Sequence, residues 1–309
     1  MRWEDFRQSD NVEDYRGSSP GGGGGGGFGM PGGAGGLGIG TVVVLGLVGW
    51  ALGIDPRLLI GGMEILQGGG PSQYQQAPPR TRRPPANAPS DEVGRFMRAV
   101  LGDTEDRWKE IFEKAGKRYA EPHLVVFPGR WDSACGRAVA AMGPFYCPND
   151  QKIYLDTSFF RDLEVRFRGC EVGSRACRFS QAYVIAHEVG HHVQNLLGIL
   201  PKVQQMQRGI GKAEANALQV RVELQADCYA GLWAYHSNQK WRTIDQSDID
   251  AALRTAAAIG DDRLQKQTQG TVVPESFTHG SSEQRKRWFM IGFKNGSIAA
   301  CNTFKSADV

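Results

Sequence analysis

The sequence predicts an α+β domain, mainly helical with a small sheet, occupying residues 91–309. Three observations predict it. Composition changes sharply near Ser90, because 23 of the 41 glycines fall in the first 90 residues. Beyond that point, long stretches repeat apolar residues at spacings of three and four, the period of a helix face. Only short β-rich runs interrupt them, which suits helices segregated beside a modest sheet. Collagen is excluded because the glycines come in runs, such as Gly21 to Gly27, and not at every third residue. A net charge of +3 with a pI near 8.5 is too weak and scattered for a nucleic-acid binder.

Residues 1–36 are expected to be disordered. The opening MRWEDFRQSDNVEDYR has no apolar stripe, and the glycine tract after it cannot bury enough apolar area to offset its ordering entropy. Leu37 to Ile54 carries no charged residue. Its 18 residues would make a helix about 27 Å long, close to bilayer thickness, so a single transmembrane helix is expected over 37–54. A signal peptide would lie nearer the N-terminus behind a basic region. Arg2, Arg7 and Arg16 before the span against Arg57 after it leave the positive-inside count nearly balanced. Residues 55–90, rich in proline and glycine, read as a tether.

Within the domain, DEVGRFMRAVLGDTEDRWKEIFEKAGKRY reads as two helices broken near Gly102–Asp103. HLVVF (123–127) and KIYLD (152–156) are short strands bounded by turn residues. FSQAYVIAHEVGHHVQNLLG (179–198) is a long helix stopped by Gly198 and Pro201. Further helices are expected over about 214–237, from Ser247 to Ile259, and over 281–294. All six cysteines lie in this domain and none forms a C-x-x-C pair, which argues against a zinc ribbon. Bridges such as Cys135–Cys147 and Cys170–Cys177 would close short loops in an oxidising compartment, with buried free thiols as the alternative. Cys228, in a helix, reads as core.

The chemical signal is His187-Glu188-Val189-Gly190-His191. Histidines at i and i+4 share a helix face, so both imidazoles can hold one Zn²⁺ at about 2.0–2.1 Å. Glu188 projects beside that position as a general base. A third ligand should come from RVELQADCYAGLWAY (221–235), where Glu223 and Asp227 are four apart on one face. Glu223 as ligand with Asp227 accepting from a ligand imidazole satisfies both shells; Asp227 as ligand is the alternative.

HEVGHH, the downstream ELQADCYAGLWA, the opening MRWEDFRQSDNVEDYRG and the block GPFYCPNDQKIYLD together resemble a family of bacterial membrane-anchored neutral zinc metallopeptidases over nearly the whole chain. The resemblance implies a zincin-like fold, zinc, and a protein or peptide substrate. The E-x-x-x-D pattern is similar to that of gluzincin membrane proteases, which implies Glu223 as third ligand and Asp227 behind a histidine. FTHGSSEQR resembles their C-terminal Thr-His-Pro…Arg segment, with Gly280 in place of proline; it implies catalytic roles for His279 and Arg285. By the same analogy, the strand after Gly143 could hold extended substrate at a sheet edge. His192, about 100° around the helix from His191, reads as structural, and His123 and His236 as strand-start and helix-end residues.

These observations predict a membrane-anchored zinc endopeptidase with its catalytic domain outside the cytoplasm and its N-terminus inside. The rival readings are a tethered zinc scaffold without turnover and a hydrolase of a non-peptide amide such as a cell-wall cross-link.

Overall fold

The computed structural model describes residues 1–17, 91–140, 143–165, 170–171, 174–307 and 309. The expectations for the glycine tract, the 37–54 span and the tether lie outside these residues. No helix among the described residues is long and apolar enough to cross a membrane.

The chain begins with β1 (Val12–Asp14), then α1 (Glu92–Lys114), β2 (His123–Val126), β3 (Arg130–Ser133), β4 (Gly136–Val139), β5 (Phe145–Cys147) and β6 (Lys152–Leu155). Helices α2 (Ser158–Val165), α3 (Arg175–Leu196), α4 (Ile199–Gln207), α5 (Lys212–Trp241), α6 (Gln246–Ala258), α7 (Asp261–Gln269) and α8 (Ser282–Asn295) follow. The main sheet runs β1-β2-β6-β5, with β1, β2 and β6 parallel and β5 antiparallel to β6. β3 and β4 form a separate hairpin. Helix α5 is central and packs on both α3 and α8.

The opening residues correct the disorder expected of them. Met1, Trp3, Phe6 and Val12 are buried in the main core, and Val12–Asp14 pairs in register with Leu124–Val126. Arg7 donates to Glu105, Asp106 and the Gly102 carbonyl, while Ser9 and Asn11 donate to Glu105. The segment crosses α1 as irregular chain, so its buried residues carry no repeating period for sequence inspection to detect. The folded unit therefore combines residues 1–17 with the domain expected only from Asp91. Both flanks of the 18–90 stretch belong to one fold.

The same contact corrects the reading of Gly102 as a helix break. Helix α1 is continuous through it. A Cβ there would lie 2.2 Å from the Arg7 carbonyl oxygen, so this glycine admits the crossing segment. Two further boundaries differ slightly: α6 is capped by Asp245 with Asp248 in a capping box, two residues ahead of the start expected at Ser247. Helix α8 is capped by Ser281 with Gln284.

The cysteines stand in three pairs at bonding distance: Cys135–Cys147, Cys170–Cys177 and Cys228–Cys301. Cys228 is thus more than a core residue, since it ties α5 to a segment 73 residues away.

Candidate metal centre

Two buried helices and the packing between them build the site. Ser174 caps α3 by accepting from the Cys177 amide, and the helix is buried almost continuously from Phe179 to Gly190. It presents His187, Glu188 and His191. Helix α5 presents Glu223 and Asp227 one turn apart. A Cβ on Gly190 would stand 3.0 Å from the Ala226 carbonyl oxygen and 3.1 Å from its Cα. The glycine between the two histidines therefore sets how closely the helices approach.

At that separation His187 Nε2 lies 3.2 Å and His191 Nε2 3.4 Å from Glu223 Oε2. His187, His191 and Glu223 offer ligand atoms all within 4.8 Å of one another. Tetrahedral coordination with bonds of 2.0–2.1 Å separates ligand atoms by about 3.3 Å. The triangle fits zinc on distance and on its nitrogen–nitrogen–oxygen donor set. Asp227 stands behind it.

The outward nitrogens of both imidazoles are held. His187 Nδ1 is 2.8 Å from Asp227 Oδ1, and His191 Nδ1 is 2.9 Å from Gln194 Oε1. These contacts keep each Nε2 aimed at Glu223 in the tautomer a metal requires. Gln194 is itself fixed, donating to the Val222 carbonyl and to Gln225, which donates to the Cys301 carbonyl. Gln219 donates to Glu223 Oε1 at 2.9 Å.

Asp227 is fully buried and accepts from Tyr183 Oη at 2.5 Å and from Arg285 Nη2 and Nε at 3.0 and 2.9 Å. Burial alone would raise its pKa, but the Arg285 charge and the His187 contact hold the carboxyl down at about 2. Arg285 reaches it because α5 and α8 touch backbone to backbone. A Cβ on Gly231 would lie 2.0 Å from the Phe289 carbonyl oxygen, and one on Gly292 would lie 1.9 Å from that of Cys228. Arg285 is two turns from Gly292 on α8.

Arg285, for which the resemblance implies a catalytic role, lies behind Asp227 in the structure. The residue is 3% exposed, and its guanidinium is engaged by Asp227, Tyr183 and the Ile259 carbonyl. It positions Asp227, and through it His187.

Glu188 is buried beside the triangle, and burial raises its pKa against the pull of His191, His187 and His279. His279 lies on the loop before α8 and is half-buried. The next residue, Gly280, lies against α5, where an added Cβ would stand 3.1 Å from Leu224 Cδ2 and 3.3 Å from Val220 Cγ1, so the loop stands beside the helix that carries Glu223. Asp261, on α7, shapes that loop by accepting from the amides of Thr278, His279 and Gly280 at 2.7, 2.6 and 3.1 Å.

The remaining histidines are structural. His192 is fully buried between Tyr146 Oη and the Ala120 carbonyl, and burial lowers its pKa to about 4. His236 bonds the Gly296 carbonyl, and His123 lies beside Glu13. Strand β5 ends the sheet among the described residues, and its Tyr146 bonds His192 and Asn195 of α3.

Sequence reasoning missed Tyr183, Gln194 and Asp261. Gln194 carries a usable signal, being three residues after His191 and hence on its face. Tyr183, four residues before His187, shares that histidine's face in the same way, whereas Asp261 carries no such signal because it lies outside both zinc-site helices.

Comparison with known proteins agrees with this geometry. The chain is 48% identical over 305 residues to the uncharacterized protein YpfJ of Escherichia coli, covering 98% of this chain and 99% of that one. It is 41% identical over 227 residues to the uncharacterized protein Rv2575 of Mycobacterium tuberculosis, covering 71% and 74% respectively. No solved structure matches. The sequence profile described as "Putative neutral zinc metallopeptidase" matches residues 1–304, and the chain belongs to that family.

Proposed function

We propose that the protein is a zinc-dependent endopeptidase. The observation that carries this is the buried His187–His191–Glu223 triangle with Glu188 beside it. Zinc bound there would supply Lewis acidity toward a water and the scissile carbonyl. Glu188 accepts the proton of the attacking water and returns it to the leaving amine. Burial raises its pKa, in the direction that suits a carboxylate exchanging protons near neutral pH. His279 serves as a donor to the oxyanion that develops on the carbonyl oxygen. Asp227, held by Arg285 and Tyr183, fixes the His187 ring.

Purified full-length protein loaded with zinc should hydrolyse an unfolded protein such as casein and lose that activity to a chelator. Glu188→Gln should retain zinc and lose about 10²–10⁴-fold in turnover. Casein cleavage by Glu188→Gln at the native rate would overturn the mechanism.

Location forms part of the reading. Three cysteine pairs support an oxidising, extracytoplasmic compartment. The pairing of β1 with β2 supports placing residues 1–17 in that same compartment, since hydrogen-bonded strands cannot lie on opposite sides of a bilayer. Membrane attachment through the apolar 37–54 stretch is therefore proposed without the single crossing expected from the sequence. Compartment reporters fused at either terminus should agree; opposite reports would overturn this arrangement.

A further inference from the structure

The stripe of α5 that carries Asp227 and Glu223 continues toward the helix N-terminus through Val220, Ala217 and Ala213 at helical spacing. There it becomes one wall of a groove of about 300 Å³. The opposite wall is Pro274 and Phe277, in the segment that leads directly to His279. Asn216 Nδ2 donates to the Glu275 carbonyl at 3.1 Å and ties the walls together. Val220 is three residues from Glu223, about 4.5 Å along the helix, and Phe277 is two residues from His279. Val220 also lies against Gly280, the neighbour of His279, since a Cβ on that glycine would stand 3.3 Å from Val220 Cγ1; the inner end of the groove therefore borders the loop that carries His279.

The chain leading into the groove's walls carries exposed apolar residues. Among the described residues, five large hydrophobic side chains are exposed. Four of them lie on the chain leading into the two walls: Met206 and Ile210 before α5, and Val272 and Val273 before Pro274, each 38–45% exposed. Gln207 donates to the Ala215 carbonyl and holds the end of α4 against α5. Scattered exposed hydrophobics need no explanation, but their concentration on the chain flanking both walls suits a surface that receives apolar groups.

We infer that this groove is a substrate subsite that takes a bulky apolar side chain of an extended polypeptide, placed beside the bond to be cut. The inference rests on the endopeptidase reading and names its substrate class: unfolded segments rich in large apolar residues. The occupant follows from continuity with the metal centre. A chain crossing between Glu223 and His279 runs onto α5, where the small Ala213 and Ala217 leave the available space. The volume lies at the lower end of the range for ligand pockets, roughly 300–1,000 Å³, so it suits one or two side chains.

The test uses full-length, zinc-loaded Glu188→Gln and two fluorescent peptides differing only in Phe or Ser at one position. Anisotropy should show about 10–100-fold tighter binding of the Phe peptide, the range expected for burying one large side chain. Ala217→Trp, which fills the exposed floor, should remove that preference without changing zinc content or thermal midpoint. Val272→Asp/Val273→Asp should weaken the Phe peptide alone. Equal binding of both peptides, or an unchanged preference in Ala217→Trp, would overturn the subsite. If a peptide copying residues 37–54 displaces the Phe peptide while casein does not, the groove belongs to the chain's own segment and the assignment fails. Preferential binding without cleavage by the native chain would support the subsite while sinking the endopeptidase reading; cleavage without side-chain preference would do the reverse.

Discussion

Arg285→Met separates a positioning role from a catalytic one. The change keeps the aliphatic bulk of the side chain but removes the two donors that Asp227 receives at 2.9 and 3.0 Å. Asp227 is completely buried, so its carboxylate is left with Tyr183, His187 and no compensating cation. Removing one partner of a buried ion pair typically costs about 3–5 kcal/mol. For a folded unit of this size each kcal/mol moves the thermal midpoint by about 2–4 °C, so a fall of roughly 6–20 °C is expected. Because Asp227 orients His187, zinc affinity should also drop about 10–100-fold. The assays are calorimetry and competition with a chelator of known affinity. The double variant Arg285→Met/Asp227→Asn should be less destabilised than the sum of its singles, since it removes both charges of the pair. If Arg285→Met instead keeps its thermal midpoint and zinc affinity while turnover collapses, Arg285 contacts substrate and this account of α8 is wrong.

Two other predictions follow from the packing and from the sheet edge. Gly190→Ala should force α3 and α5 apart at Ala226, where the added Cβ would stand 3.0 Å from backbone. We expect about 1–3 kcal/mol of destabilisation and weaker zinc, and native zinc affinity in a folded variant would show that this contact does not set the ligand spacing. Glu13, on β1, has its pKa lowered from 4.5 to about 2, chiefly by its hydrogen bond from His123, against burial and with help from Lys152. Because its folded-state pKa is depressed, its stabilisation is complete above pH 4.5 and is lost as pH falls from 4.5 toward 2. After allowance for solvent screening, Glu13→Gln should cost roughly 1–2 kcal/mol at pH 7 and flatten the acid limb of a stability-versus-pH curve. An acid limb unchanged in the variant would remove Glu13 as its source.

Local spacing determined much of this protein. His187 and His191 share a face because they are four residues apart on a helix, and Glu223 and Asp227 share one for the same reason. The helices that carry the site, the strands at 123–127 and 152–156, and Gly198 as a stop were legible because each depends on neighbours within a few residues. Tertiary structure decided the rest. Which acid meets both Nε2 atoms depends on how α3 crosses α5 at Gly190 and Ala226, and no pattern within either helix encodes that crossing. Arg285 stands behind Asp227 only because Gly231 and Gly292 let two backbones touch. The first 17 residues look unstructured in isolation, since Trp3, Phe6 and Val12 follow no period; they are ordered by α1 and β2, about a hundred residues away. Periodicity reports the face a residue occupies, whereas the partner for that face is chosen by close approach between elements distant in sequence.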